Sequence, residues 1–138
     1  MSDRNFAAVE ANLAQSKAAD KQQVLLEMIR AIAASDAHTL QKHLAEDVRF
    51  DIYGFPGLEG SYYGREAVLH AILSNFDQVT QQVPKIEGLI EQGDSVAMLL
   101  HETGNFKATR KKYEVRGVMW YTFDGLLLKR IEEFVRPI

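Results

Sequence analysis

Residues 44–76 read LAEDVRFDIYGFPGLEGSYYGREAVLHAILSNF. This stretch holds a strand, a glycine-rich turn and an amphipathic helix. Val48, Phe50 and Ile52 alternate with Arg49, Asp51 and Tyr53, and a period of two puts the sets on opposite faces of a strand. Gly54, Pro56, Gly57 and Gly60 then break regular structure. After Gly64, the residues Ala67, Val68, Ala71, Ile72 and Phe76 recur at helical spacing and form one apolar face.

The flanking segments extend this pattern. Upstream, residues 5–15 read as a helix carrying Phe6, Val9 and Leu13 on one stripe. Asp20 is placed to cap a helix over 21–34, whose apolar face is Val24, Leu25, Met28, Ile29 and Ile32. Asp36 is placed to cap a short helix over 37–44. Downstream, 83–91 reads as a strand in which Pro84 requires either a sheet edge or a place among the first residues. Residues 95–106 and 113–123 are long strands, the second rich in β-branched and aromatic residues. The charged run 107–112 is a solvated connection. Asp124-Gly125 is a hairpin signal that leads into a last strand over 126–135. Helices thus come first and a mostly antiparallel meander closes the chain, which argues an α+β fold with the helices on one face of a curved sheet.

Composition narrows the function classes. The 138 residues suit one domain with a single core, read as 1–138 with 1–19 as an N-terminal helical extension. The net charge of −3 and the lack of a basic run argue against a nucleic-acid partner. With no cysteine, the chain has no disulfide framework and no thiolate zinc site. The first residues carry acids and lack the apolar core of a signal peptide, and no apolar run approaches a membrane span. The expectation is a cytoplasmic protein with no membrane partner. Gly54–Gly60 lacks the lysine and spacing of a phosphate-binding loop, so no cofactor is expected. The four histidines have no partners at ligand spacing, so no metal is expected either.

Three short stretches resemble the nuclear transport factor 2-like superfamily and, within it, the SnoaL-like proteins. Ala45-Glu46-Asp47-Val48-Arg49-Phe50 is similar to the family's acidic lead-in to its first strand. Residues 60–68, GSYYGREAV, resemble its G-T-Y-x-G-R-E-A-V approach to the third helix. Asp124-Gly125 followed by Arg130-Ile131-Glu132-Glu133-Phe134 resembles its closing strand. The likeness spans about residues 20–136 of the chain, the size of one domain. It implies a cone: a strongly curved, mostly antiparallel sheet wrapped around three helices, with the N-terminal segment as an extra helix. It also implies a mostly apolar pocket at the open end. Members include ketosteroid isomerases, polyketide cyclases, dehydratases and proteins of no known activity, so the fold alone does not give the function.

Strand alternation sorts the candidates for that pocket. Val96, Met98, Leu100 and Glu102 share one face of their strand. Tyr113, Met119 and Tyr121 share one face of the next, and Ile131, Glu133 and Val135 one face of the last. The resemblance implies that these faces point inward. It also implies that the positions used by a ketosteroid isomerase for its base and oxyanion donors hold Ile52, Met119 and Met28 here, none of which moves a proton, so that machinery is rejected. The acid/base candidates that remain are Glu133 and Glu102, with Tyr121 as a hydrogen-bond donor. Desolvation raises the pKa of a carboxyl in an apolar pocket, which suits proton transfer near neutral pH. The bland alternative has Glu133 tied to Arg116, Arg130 or a backbone amide. Ile52, Tyr53, Phe55, Met98, Leu100, Tyr113 and Met119 are the expected substrate-binding residues. Asp51 is better read as an ion-pair partner than as a base. His38, His43 and His70 are read as solvated.

The outer face of the sheet carries Ala97, Leu99, Val118 and Trp120, with Arg116 and His101 beside them. An apolar strip with a tryptophan is typical of an interface, and the resemblance implies a homodimer through this face. Three functions stay open. The first is a cofactor-free isomerase, cyclase or dehydratase acting on a small hydrophobic oxygenated molecule. The second is a protein that binds such a ligand without turning it over, and the third is a dimerisation module with a filled cone.

Overall fold

The computed structural model describes residues 5–15 and 20–138. In chain order the elements are α1 (Ala7–Gln15), α2 (Asp20–Ala33), α3 (Ala37–Lys42), β1 (Leu44–Tyr53), β2 (Gly60–Tyr63), α4 (Arg65–Asp77), β3 (Val79–Gln92), β4 (Ser95–Phe106), β5 (Lys112–Asp124) and β6 (Leu127–Pro137). The six strands form one sheet in the order β2-β1-β6-β5-β4-β3. Only the β1–β6 pair is parallel; the others are antiparallel. The architecture is α+β, with the inner face of a curled sheet covered by helices.

The helix faces follow the predicted periodicity except at Ala67, which is exposed, while Ile29 and Phe76 are half-buried. In α2, Val24, Leu25, Met28 and Ile32 are buried, and in α4 Val68, Ala71 and Ile72 are buried. Asp36 caps α3 by accepting from Thr39 N at 3.1 Å. The first helix docks: Phe6 and Val9 are buried, the Phe6 ring meets Phe76 edge-on at 5.8 Å, and Asn5 N donates to the Gln82 carbonyl. The side chain of Leu13 lies outside the described residues. Arg65, at the start of α4, has a local use: its Nε donates to the Leu44 carbonyl at 3.0 Å and ties the helix to the head of β1.

Three boundaries differ from the sequence reading. The short helix stops at Lys42, and residues 44–53 are all strand. The segment 60–63 is not part of a long irregular turn but the edge strand β2, pairing Phe50 with Tyr62 and Asp51 with Ser61. Glycine at its head hides that strand from a propensity reading. The strand containing Pro84 begins four residues earlier, at Val79, and carries a bulge between Thr80 and Val83. Pro84 does lie on an edge strand, β3, as expected for a residue with no N–H to donate.

Candidate functional site

Between α2, α4 and the inner sheet face lies a cavity of about 100 Å³. It is somewhat smaller than the roughly 150 Å³ engineered cavity known to admit benzene. Met28, Ile29 and Ile32 of α2, Ile72 and Phe76 of α4, and Phe50 and Ile52 of β1 supply most of its apolar wall. Phe55 and Leu58 cover it from the β1–β2 turn. That turn depends on Gly54, where φ is +86° and a Cβ would sit 1.8 Å from the Val135 carbonyl oxygen. Glu59 steadies it by accepting from Gly54 N at 2.9 Å.

Polar groups break this wall at a few points, and Glu133 is the first. It faces inward from β6, between Ile52 on β1 and Met119 on β5. Among the described residues no hydrogen bond or ion pair reaches its carboxyl group. The arginines that might have neutralised it are engaged elsewhere. Arg116 pairs with Glu87 at 2.8 Å, and Arg130 reaches Asp51 at 3.3 Å and Glu132 at 3.4 Å. Burial, and secondarily the nearby Glu102, push the Glu133 carboxyl up to about 8. Tyr121 is its diagonal neighbour on the inner face, since Met119 pairs with Glu133 and Tyr121 with Ile131. Burial and then the Glu133 charge raise the Tyr121 phenol, which therefore keeps its proton.

Glu102 sits deeper and is held. It is 6% exposed, and its Oε2 accepts from the Tyr113 hydroxyl at 2.6 Å. Gln82 donates a second side-chain hydrogen bond to it. Burial raises this carboxyl while the two donors oppose the shift, and the balance stays upward. Tyr113 reaches Glu102 because its ring lies across Gly104, the residue paired with it on β4; a Cβ at Gly104 would come within 2.5 Å of the phenol oxygen.

The structure thus brings Glu133, Glu102, Tyr121, Ile52, Phe55, Leu100 and Met119 to one cavity wall. It removes three expected members. Tyr53 points the other way, 43% exposed on the outer face and stacked on Phe134 at 5.0 Å, because β1 alternates strictly and Phe50 and Ile52 take the inward positions. Met98 points inward but is packed in the hydrophobic core one strand beyond Met119, away from the cavity. Tyr113 stands behind the wall, in an aromatic cluster with Phe55 and Phe106, and meets Glu102 rather than the open space. Asn75 and Gln82 also line the cavity and were not visible beforehand. Gln82 precedes the segment that reads as strand, and only the bulge turns it inward.

Asp51 is fully buried beneath the outer face, where Arg49 donates at 2.7 Å, Ser61 at 2.6 Å and Arg130 at 3.3 Å. Together these bonds and charges outweigh its burial and hold its carboxyl below the usual carboxylate range. His43 is not solvated as expected, because it pairs with Glu27 at 2.8 Å. His101 pairs with Glu114. The outer face presents Tyr53, Phe134, Val118 and Leu99 as one row across four strands, with Trp120, 44% exposed, in the next. Among the described residues no group of three His, Cys, Asp or Glu side chains is placed to hold a metal, and no helix is long and apolar enough to cross a membrane.

Known proteins match this geometry. An NTF2-like protein from Burkholderia xenovorans LB400 superimposes with a TM-score of 0.73 at 23% identity, over 84% of this chain and 88% of that one. A Mycobacterium tuberculosis protein in complex with estradiol-17beta-hemisuccinate matches with a TM-score of 0.70 at 18% identity, over 85% and 94%. A candidate SnoaL-like polyketide cyclase from Shewanella putrefaciens CN-32 matches with a TM-score of 0.74 at 15% identity, over 98% and 92%. No curated protein matches the sequence. The SnoaL-like domain model matches residues 25–131, a span that runs from within α2 into β6 and contains β1 to β5, α4 and Glu102 but ends two residues before Glu133. The chain therefore belongs to the SnoaL-like domain family, within the NTF2-like fold.

Proposed function

We propose that the protein is a cofactor-independent acid/base catalyst, an isomerase, cyclase or dehydratase, for a small hydrophobic oxygenated molecule held in the cavity. One observation carries this reading: Glu133 faces an apolar cavity with no hydrogen-bond or ion-pair partner among the described residues. A half-buried carboxyl group with no partner carries a desolvation cost, and proton transfer near neutral pH is the chemistry that such a group performs well. In the simplest scheme, Glu133 takes a proton from a carbon beside a carbonyl. The Tyr121 hydroxyl donates to the carbonyl oxygen as negative charge develops there. Glu133 then returns the proton, either to a second carbon in an isomerisation or to a departing hydroxyl that leaves as water in a dehydration. Either way Glu133 ends as it began, and no redox partner is needed. The oxygenated ring compound held by the Mycobacterium tuberculosis protein supports this ligand class, and a cavity of about 100 Å³ favours about one ring.

A specific observation favours a second reading, binding without turnover. The wall positions where the family resemblance would put an isomerase's proton-transfer groups hold Ile52, Met28 and Met119. Deuterium exchange separates the two. Small cyclic ketones incubated with the protein in D₂O are expected to take up deuterium beside the carbonyl, and Glu133→Gln is expected to slow this by about 100-fold or more. Binding with no exchange in the unaltered protein would favour the binder.

The outer-face band of Tyr53, Leu99, Val118, Trp120 and Phe134, bordered by Arg116 and His101, is read as the contact surface of a homodimer. The support is its apolar row across four strands with a half-exposed tryptophan in the adjoining row.

A further inference from the structure

Two side-chain amides in the cavity wall each keep one polar atom that neither the carboxyl groups nor the core engages. Gln82 is 4% exposed, and its Oε1 is buried without a partner. Asn75, in the last turn of α4, also lines the cavity, and its Nδ2 is buried without a partner. An unsatisfied buried amide group costs about 1–3 kcal/mol, so two of them in an otherwise apolar wall have no packing rationale.

The backbone is bent to put one of them there. Gln81 has φ +51°, a left-handed conformation that a glutamine rarely adopts, inside the bulge between Thr80 and Val83. The extra residue reverses the phase of β3, so that Gln82 rather than Gln81 turns inward. Glu102 then sets the amide's orientation. It takes the Gln82 N–H and is itself held by Tyr113, so the free atom of Gln82 is the acceptor.

We propose that Asn75 and Gln82 are the polar anchor of the ligand, and that the ligand is a small neutral hydroxy-carbonyl compound. Its carbonyl oxygen accepts from Asn75 Nδ2, and its hydroxyl donates to Gln82 Oε1. Neutrality follows from the wall itself: among the described residues it contains no lysine, arginine or histidine, so an anionic ligand would be desolvated with no counterion. The cavity of about 100 Å³ limits the apolar part to roughly one ring. This inference rests on the reading of the cavity as the reaction site, and it adds the substrate class.

Three ring probes test it: 2-hydroxycyclohexanone, cyclohexanone and cyclohexanol. Binding is followed by titration of the methyl NMR signals of Met28, Met119 and Ile52. The hydroxyketone is expected to bind about tenfold or more tighter than either single-function probe, the advantage of one well-made hydrogen bond. Gln82→Met and Asn75→Leu are each expected to erase most of that preference. Equal affinity for the three probes in the unaltered protein would overturn the anchor and leave the cavity reading standing, and this arm needs no variant to fold. A preference that survives in folded Gln82→Met and Asn75→Leu would also overturn it. No methyl shift with any probe would overturn both the anchor and the cavity reading.

Discussion

The Tyr113 hydroxyl donates to Glu102 at 2.6 Å across the β4–β5 pair, with the tyrosine ring laid over Gly104 between them. Two residues that share a face of neighbouring strands thus become a donor and a held carboxyl group. Tyr113→Phe leaves Glu102 with one side-chain donor, and a loss of about 1–3 kcal/mol in stability is expected by urea denaturation. Gly104→Ala displaces the ring and is expected to cost a similar amount. Because both changes remove the same contact, the double variant is expected to lose less than the sum of the two. Strict additivity would show that the contact has no energetic role.

Glu133 makes stability fall as the pH rises. Its folded value, about 8, lies above the ordinary 4.5, so between those limits the folded chain binds more protons than the unfolded one and loses stability with increasing pH. Glu133→Gln removes this slope. Thermal melts are expected to match near pH 4 and to diverge above it, with the variant more stable by a few kcal/mol, of the order of 2–4, at pH 9. Parallel pH profiles for the two proteins would mean that Glu133 is paired in solution.

The proton-transfer rate carries the same group's signature with the opposite sign. If Glu133 is the base, deuterium exchange into a ketone is expected to rise about tenfold per pH unit below neutrality and to level off above about 8. A rate that falls through that region would assign Glu133 the acid role, and a flat profile would remove it from the chemistry.

Asp51 works on the far side of the sheet. Its carboxyl is fully buried but accepts from Arg49, Ser61 and Arg130. The two guanidinium groups are 38% and 40% exposed, so solvent screens part of the gain. Asp51→Asn is expected to cost about 1–3 kcal/mol near neutral pH. Its folded value lies below the ordinary one, so this contribution is present above the ordinary carboxylate range and is lost as pH falls through the folded value. The deficit of the variant should accordingly shrink in acid, as measured by chemical denaturation at pH 7 and pH 3.

The outer face is tested by mass in solution. Sedimentation equilibrium is expected to show a dimer at micromolar concentration, and Trp120→Glu, at a site 44% exposed in the single chain, is expected to weaken it by about 100-fold or more without unfolding it. A monomeric unaltered protein with a water-accessible tryptophan would dismiss the interface.

The helices and strands were legible because local burial leaves a local mark. A buried helix face repeats every three or four residues, and a half-buried strand every two. That is why Val24, Leu25, Met28 and Ile32 could be assigned to one face, and Glu102, Met119 and Glu133 each to one side of its strand, the side that the family resemblance implies is the inner one. Asp36 was readable as a cap because the capping atom lies three residues from its partner. β2 was not readable, since Gly60–Tyr63 is a strand only by virtue of Phe50 and Asp51 lying opposite it.

The chain's amino acids by themselves determined the α+β class and which residues share a face of each strand; that the faces carrying Glu102 and Glu133 point inward is what the family resemblance implies. Tertiary structure alone decided which of those carboxyl groups is free. Glu102 is held because Tyr113 can lie over a glycine on the next strand, and Glu133 is unpartnered because Arg116 and Arg130 lie on the opposite face of the sheet, where they meet Glu87, Asp51 and Glu132. It also decided that Gln82 faces the cavity, since one extra residue in a bulge shifts the phase of a strand without altering its composition. The physical reason is common to all three: periodicity is a property of neighbours along the chain, whereas partner choice depends on register between segments that meet only after the sheet has curled.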